Sequence, residues 1–194
     1  MSNTKDNRRV QYTKSELKRS LLTLLRSKPI SKITVKEICE TADLNRGTFY
    51  AYYASPEMLL AEIEDEFYLD ILNSVTAFRR PDDVVTIFTQ ALTALKERQE
   101  LSEVLAGKYA DGAFIEKLVD VARAMCMRIW VRLSTGVPTA TLEMMYDFCS
   151  WGCAQVIEKW VQDGMQEEPE EIAKFLRTIC DYGIVPILGT EKKK

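Results

Sequence analysis

The side chains best suited to chemistry in this sequence lie close together. Asn45, Arg46, Gly47, Thr48 and Tyr50 set an amide, a guanidinium and two hydroxyls on a stretch of six residues. These groups donate and accept hydrogen bonds, and one carries a fixed positive charge. The whole chain lacks histidine, which removes the commonest general base and the commonest metal ligand. No Gly-rich phosphate loop, metal-ligand cluster or serine or cysteine nucleophile elbow appears. The chemistry these residues offer is hydrogen bonding and fixed charge, which serves recognition rather than catalysis. An enzyme is not expected, and neither a cofactor nor a metal is.

Recognition needs rigid elements to aim these groups. Thr34-Val35-Lys36-Glu37 reads as a capping box. It opens a short helix whose inner face is Val35, Ile38, Cys39 and Ala42. Asp43-Leu44 follows as a turn, and Asn45 is a favourable N-cap for a second short helix through Tyr52. Two short helices that cross closely need a small residue on the first and an apolar one after the turn. Cys39 and Leu44 meet those needs. Phe49 then falls on the buried face, and Arg46, Thr48 and Tyr50 on the outer one. The segment from Thr34 to Tyr53 is thus expected to form a helix-turn-helix, whose second helix enters the major groove by its N-terminal end.

Helix signals dominate elsewhere, and strand signals are scarce. Thr13-Lys14-Ser15-Glu16 reads as another capping box, starting a helix with Leu17, Leu21, Leu24 and Leu25 on one stripe. Ser27-Lys28-Pro29 ends it. Ser55-Pro56-Glu57 opens a helix reaching to near Phe78. Arg80-Pro81-Asp82 restarts a helix to about Glu100, with a short segment over Leu101 to Leu105. Asp111 is placed to cap a long helix to about Leu133. Another runs from Thr139 or Thr141 to Gln162, with Gly164 as its C-terminal cap. Pro169 starts the last, which Gly183 and Pro186 are expected to bend or end.

A hydrophobic share of 46% and a charged share of 28% exclude a disordered or fibrous chain. Residues 1–60 hold eleven Lys and Arg against six Asp and Glu, a balance of +5; the remainder balances at −8. A basic N-terminal segment on an acidic body suits a nucleic-acid patch or a solvated helical surface. No targeting signal or spanning segment is read, so a cytoplasmic location is expected. The five cysteines, Cys39, Cys126, Cys149, Cys153 and Cys180, are read as reduced, structural thiols. Cys149 and Cys153 stand i,i+4 as small core residues.

The run from Asn45 to Tyr53, NRGTFYAYY, resembles the recognition helix of the TetR family of bacterial regulators. The resemblance implies an all-α fold. An N-terminal three-helix helix-turn-helix DNA-binding domain over residues 1–54 would precede a helical ligand-sensing and dimerisation domain over 55–194. It implies phosphate contacts for Thr34, Lys36, Tyr50 and Tyr52, and groove contacts for Asn45, Arg46, Gly47 and Thr48. Arg46 is the guanine reader of choice, and Arg8 and Arg9 are expected in a flexible basic arm. Three positions depart from the family. Asp43 replaces a turn glycine, Tyr52 and Tyr53 stand where His and Phe are frequent, and no lysine opens the fourth helix.

The helix ending at Gln162 is apolar on more than one face, as is the last helix. Met145, Cys149, Cys153, Val156 and Trp160, with Phe175 and Ile179, are assigned to a dimer interface. Phe67, Tyr68, Phe88, Tyr109, Phe114, Met125, Trp130, Met144, Tyr146 and Phe148 are assigned to the wall of an apolar ligand pocket. The expected protein is a homodimeric repressor of a palindromic DNA operator, released by a small apolar effector. The alternative is a ligand-independent or co-activating regulator that works through a protein partner.

Overall fold

The computed structural model describes the backbone over residues 3–76, 84–107, 109–110, 112–134 and 136–188. The fold is all-α, with no strand among the described residues. In chain order the helices are α1 (Asn3–Leu25), α2 (Val35–Ala42), α3 (Arg46–Tyr50), α4 (Pro56–Thr76), α5 (Val84–Glu97), α6 (Gln99–Leu105), α7 (Ala113–Leu133), α8 (Thr139–Gln162) and α9 (Pro169–Leu188). A 3-10 turn at Ile30–Lys32 joins α1 to α2.

The N-terminal unit is built on α1, which packs on α2 and α4. Leu17, Leu21 and Leu25 recur along its inner face, where they bury against Ile38, Phe49 and Leu59. Helix α1 begins ten residues before the expected Thr13 cap. Glu16 pairs with Arg19, so it is committed away from the start of the supposed box. No glycine or proline interrupts the preceding turns, so nothing stops the helix from extending backwards. Arg8 and Arg9 consequently sit exposed on a helix rather than in a flexible arm.

Helix α4 connects this unit to the rest. It packs on α5 and α7, α9 lies along α5, and α7 lies on α8. Phe67 of α4 and Phe114 of α7 stack at 5.2 Å, nearly coplanar, and both are fully buried. The α5–α6 corner is fixed by the buried Ser102 hydroxyl, which donates to the Leu95 carbonyl at 2.8 Å. Arg98 leaves the helical backbone conformation (φ −115°, ψ 45°), so the expected break between the two segments falls here, just before Glu100.

The long C-terminal helices largely follow the sequence. Helix α8 spans the expected Thr139–Gln162, and Gly164 ends it at φ +83°. Trp160 closes the corner by donating its indole N–H to the Glu167 carbonyl at 3.2 Å. Helix α9 continues past Gly183 and Pro186 instead of ending there. Asp111, the expected cap of α7, lies outside the described residues. Gly112 occupies the N-cap position at φ +83°, with no side-chain cap. No helix among the described residues is long and apolar enough to cross a membrane.

Candidate nucleic-acid interface

Helix α2 starts where its sequence says it must. The Thr34 hydroxyl accepts from the Glu37 N–H at 3.3 Å, and Glu37 accepts from the Thr34 N–H at 3.0 Å. Lys28 adds an ion pair to Glu37 at 2.5 Å. Hydrogen bonds from Lys28 and from Thr34 hold the Glu37 carboxyl well below the usual range, at about 2. The helix stops at Asp43, which takes the left-handed conformation at φ 53°, ψ 44°. Aspartate tolerates that region better than most residues, so the turn forms without the usual glycine.

Five residues cannot hold a helix by propensity alone. Helix α3 is held by its start and its inner side. Asn45 Oδ1 accepts from the Thr48 N–H at 2.8 Å and from the Thr48 hydroxyl at 3.1 Å. A Cβ on Gly47 would come within 3.2 Å of that same oxygen, so glycine leaves the cap undisturbed. On the inner side Phe49 is fully buried, edge-on to Tyr50 and 5.8 Å from Tyr53. Ile38, Cys39 and Ala42 of α2 belong to the same core.

The residues expected to meet DNA divide by what they have free. Asn45, Arg46, Gly47 and Tyr50 are exposed around the first turns of α3, and no ion pair among the described residues engages Arg46. Lys36 is exposed beside Glu40, at 3.7 Å. Thr34 lies at the start of α2, but its hydroxyl also donates to Glu37 at 2.9 Å. The Thr48 hydroxyl is turned back to Asn45. Tyr52 is half-buried against the core.

Residues that carry the interface were missed in the sequence. Glu62 on α4 receives Lys14 at 3.0 Å, Lys18 at 2.8 Å and the Tyr53 hydroxyl at 3.1 Å. Lys18 reaches Glu66 as well, at 2.6 Å, and Lys14 sits 5.2 Å from the centre of the Tyr53 ring. Burial pushes the Glu62 carboxyl upward, but the bonds from Lys18, Lys14 and Tyr53 outweigh it and hold it at about 2. Burial and then Glu62 push the Tyr53 phenol upward, so it stays a donor. The tyrosine at position 53 therefore supplies a hydroxyl that a phenylalanine lacks, and it ties the end of the α3 turn to α4. Lys14 and Lys18 are one turn apart on α1, a spacing visible in the sequence; their common partner, 44 residues after Lys18, was not.

Among the described residues, those assigned to a ligand pocket stand apart from one another rather than around one cavity. Phe67 and Phe114 are stacked core residues, and Tyr146 is buried with its hydroxyl on the Val119 carbonyl and its ring against Trp130. Tyr68 lies under Lys117, and Phe88 is half-buried against the core. Tyr109 borders a void of about 10 Å³, with room for a single water at most. Met144 and Phe148 are turned outward on α8, with Phe148 81% exposed. Met125 lies outside the described side chains. A groove of about 590 Å³ opens elsewhere, between α1, α4 and the α5–α6 corner; of the assigned residues, Phe67 alone reaches it.

The expected dimer row is rotated in the same way. Met145 and Trp160 are buried within the chain, and Cys149, Cys153 and Val156 are half-buried. The outer face of α8 carries Met144, Phe148 and Trp151 instead; that of α9 carries Phe175, Ile179 and Tyr182. Periodicity shows that α8 is apolar on two sides, but not which side meets its own chain.

A family model described as "Transcriptional regulator C-terminal region" (TetR_C_8) matches residues 82–182. No curated protein matches the chain. Among solved structures, a TetR transcriptional regulator from Streptococcus agalactiae is similar at TM-score 0.67 and 22% identity, covering 93% of this chain and 99% of its own. The fatty acid degradation regulator FadR from Bacillus halodurans has the same TM-score at 10% identity, with 89% and 96% covered. NalD, the secondary repressor of the MexAB-OprM multidrug efflux pump in Pseudomonas aeruginosa, has TM-score 0.62 at 14% identity, with 90% and 97% covered. At these identities the likeness is one of fold.

The Glu62 cluster has a measurable consequence. Its carboxyl titrates near about 2 when folded and near about 4.3 when unfolded. The stabilisation is complete above the unfolded value and is lost as pH falls toward the folded one. In urea titrations followed by circular dichroism, Glu62→Gln is expected to lower stability at neutral pH. It should also flatten the acid limb between those two values. An unaltered acid limb would show that the cluster does not tie α1 and Tyr53 to α4.

Proposed function

The chain belongs to the TetR family of transcriptional regulators, and on that premise we propose that it is a ligand-responsive repressor that binds a palindromic operator as a homodimer in the cytoplasm. The observation that carries the reading is the presentation of α3. Phe49 is locked in the core while Arg46 and Tyr50 face outward beside the capped first turn. A helix so held can enter a major groove with little further ordering, which lowers the entropy lost on binding. In this reading residues 1–54 read DNA and residues 55–194 sense and dimerise. Asn45, Arg46, Gly47 and Thr48 approach base edges. Lys36 and Tyr50 take phosphates, and Thr34 and Tyr52 reach them only after loosening their internal contacts.

Dimerisation is assigned to the outer faces of α8 and α9, where Met144, Phe148, Trp151, Phe175, Ile179 and Tyr182 are exposed. Obligate interfaces resemble a domain core cut in half, and exposed apolar patches of this kind mark partner surfaces. Two-fold symmetry would then set two α3 helices on successive major grooves. Light scattering should give a mass near twice 22.2 kDa for the parent protein. The double variant Phe148→Glu, Ile179→Glu should run as a folded monomer; a persistent dimer would place the interface elsewhere.

The effector is assigned to the groove between α1, α4 and the α5–α6 corner, whose volume of about 590 Å³ suits a small molecule. Leu22, Ile63, Phe67, Leu69 and Leu101 would take an apolar body, and Lys18, Glu66, Asp70, Asn73 and Arg98 on the same walls call for polar groups at its rim. Binding must favour a spacing of the two α3 helices that does not fit DNA, or it cannot release the operator. A thermal-shift screen of apolar compounds should find at least one that both stabilises the protein and releases DNA. If none does both, the ligand-independent or partner-dependent reading replaces this one.

Operator reading itself is tested by enriching duplexes from a random pool and titrating the winner against scrambled DNA. A bidentate arginine–guanine pair is worth about 1–3 kcal/mol of discrimination. Arg46→Ala should therefore cost roughly ten- to hundredfold in the operator-to-scrambled ratio. Tyr50→Phe removes one neutral donor, so it should weaken all sequences alike and leave the salt dependence almost unchanged. An unaltered ratio in Arg46→Ala would show that Arg46 does not read bases.

A further inference from the structure

Three thiols converge between α8 and α9. Cys153 Sγ lies 3.7 Å from Cys180 Sγ, and Cys149, one turn earlier on α8, packs with Cys180 against the same apolar cluster. All three are half-buried, unlike the buried Cys39. A disulfide holds its sulfurs about 2.05 Å apart, so at 3.7 Å these are two unbonded thiols in contact across two helices. Core packing alone asks for one small apolar group at each position and does not call for sulfur to meet sulfur.

We propose that Cys180 is a peroxide-reactive thiol and Cys153 its resolving partner, so that oxidation joins α8 to α9 through a Cys153–Cys180 disulfide. The Cys180 thiolate attacks one oxygen of a peroxide. An S–O bond forms, the O–O bond breaks, and the departing hydroxide takes up the proton that the thiol lost, leaving as water. The Cys153 sulfur then attacks the sulfenic sulfur. The S–S bond forms and the S–O bond breaks, and the thiol proton leaves with the hydroxyl as a second water. The two thiols give up two electrons and the peroxide accepts two.

The surroundings favour this division of roles. Hydrogen bonds from the Cys149 and Cys153 thiols pull Cys180 below the ordinary thiol range, against the opposing effect of burial. The bond to Cys180, with burial, pushes Cys149 up, so it remains a protonated donor. A low-pKa thiol with access to solvent and a second thiol at hand is the arrangement on which reversible oxidation depends. The expectation that all the thiols are structural is revised for these three. The new bond would staple together the two helices whose outer faces carry Phe148 and Ile179.

The test uses the full-length chain treated with hydrogen peroxide, then alkylated with iodoacetamide and digested with trypsin. Cleavage after Lys and Arg leaves Cys149 and Cys153 on residues 133–159 and Cys180 on residues 178–192. The expected product is these two peptides linked, with Cys149 alkylated, and dithiothreitol should separate them. C149S should retain the link; C153S and C180S should lose it while keeping their helical circular dichroism. If either variant fails to fold, the site of the link in the parent protein decides by fragmentation. A Cys149–Cys180 link, a link between two chains, or Cys180 carried to the sulfinic acid without any link would each overturn the proposal.

Discussion

The arrangement depends on one side chain, Phe49. Helix α3 has five residues, and nucleating a helix costs more than one turn returns in hydrogen bonds. The cost is met by burying Phe49 fully among Leu17, Leu21, Ile38 and Leu59; a phenylalanine taken fully from water contributes about 1.5–3 kcal/mol. That burial fixes the rotation of α3. With residue 49 inward, Tyr50 turns about 100° and Gly47 about 160° away from the core, and Arg46 is exposed beside them at the helix start. The Asn45 cap then closes the exposed end without using any group on Arg46. The orientation of the exposed side of α3 is thus a by-product of core packing, and the core needs α1, α2 and α4 in place to exist.

A second layer couples that core to the rest of the chain. Tyr53 is buried under Lys14, with its hydroxyl on Glu62 of α4. Lys18 extends the contact along α4 to Glu66. Surface ion pairs taken singly contribute little, but here one carboxylate serves three donors from two parts of the chain. A shift of α4 has to drag or break this cluster, so the position of α3 is tied to whatever moves α4. The groove of about 590 Å³ has Lys18 and Glu66 on its wall. A molecule lodged there would bear on α4 at the same level as the cluster.

Local rules made much of this legible in the sequence, and non-local ones did not. The Thr34–Glu37 box, the Asn45 cap and the outline of α8 depend on residues within four positions of one another, and each formed as read. Asp43 could be assigned a left-handed turn because its tolerance is its own property. The Thr13 box failed through a competitor of equal range, since Arg19 holds Glu16 and nothing halts the helix upstream. Faces of long helices were harder. Trp160 and Phe148 belong to the same apolar helix, yet one is 3% exposed and the other 81%, because α6, α7 and α9 decide which side is covered. Glu62 and Cys180 are ordinary positions on their own helices; Lys14 and Lys18 lie 48 and 44 residues from Glu62, and Cys153 lies 27 from Cys180, and only the tertiary fold brings them together.

In the proposed function a core-locked α3 meets DNA while α8 and α9 stand apart from it. Amide hydrogen exchange of the full chain, with and without the enriched duplex, tests this most directly. Added protection should be strongest over residues 34–53, with α8 and α9 unchanged by DNA. Protection concentrated on α8 and α9, with residues 34–53 exchanging as in the free protein, would contradict it.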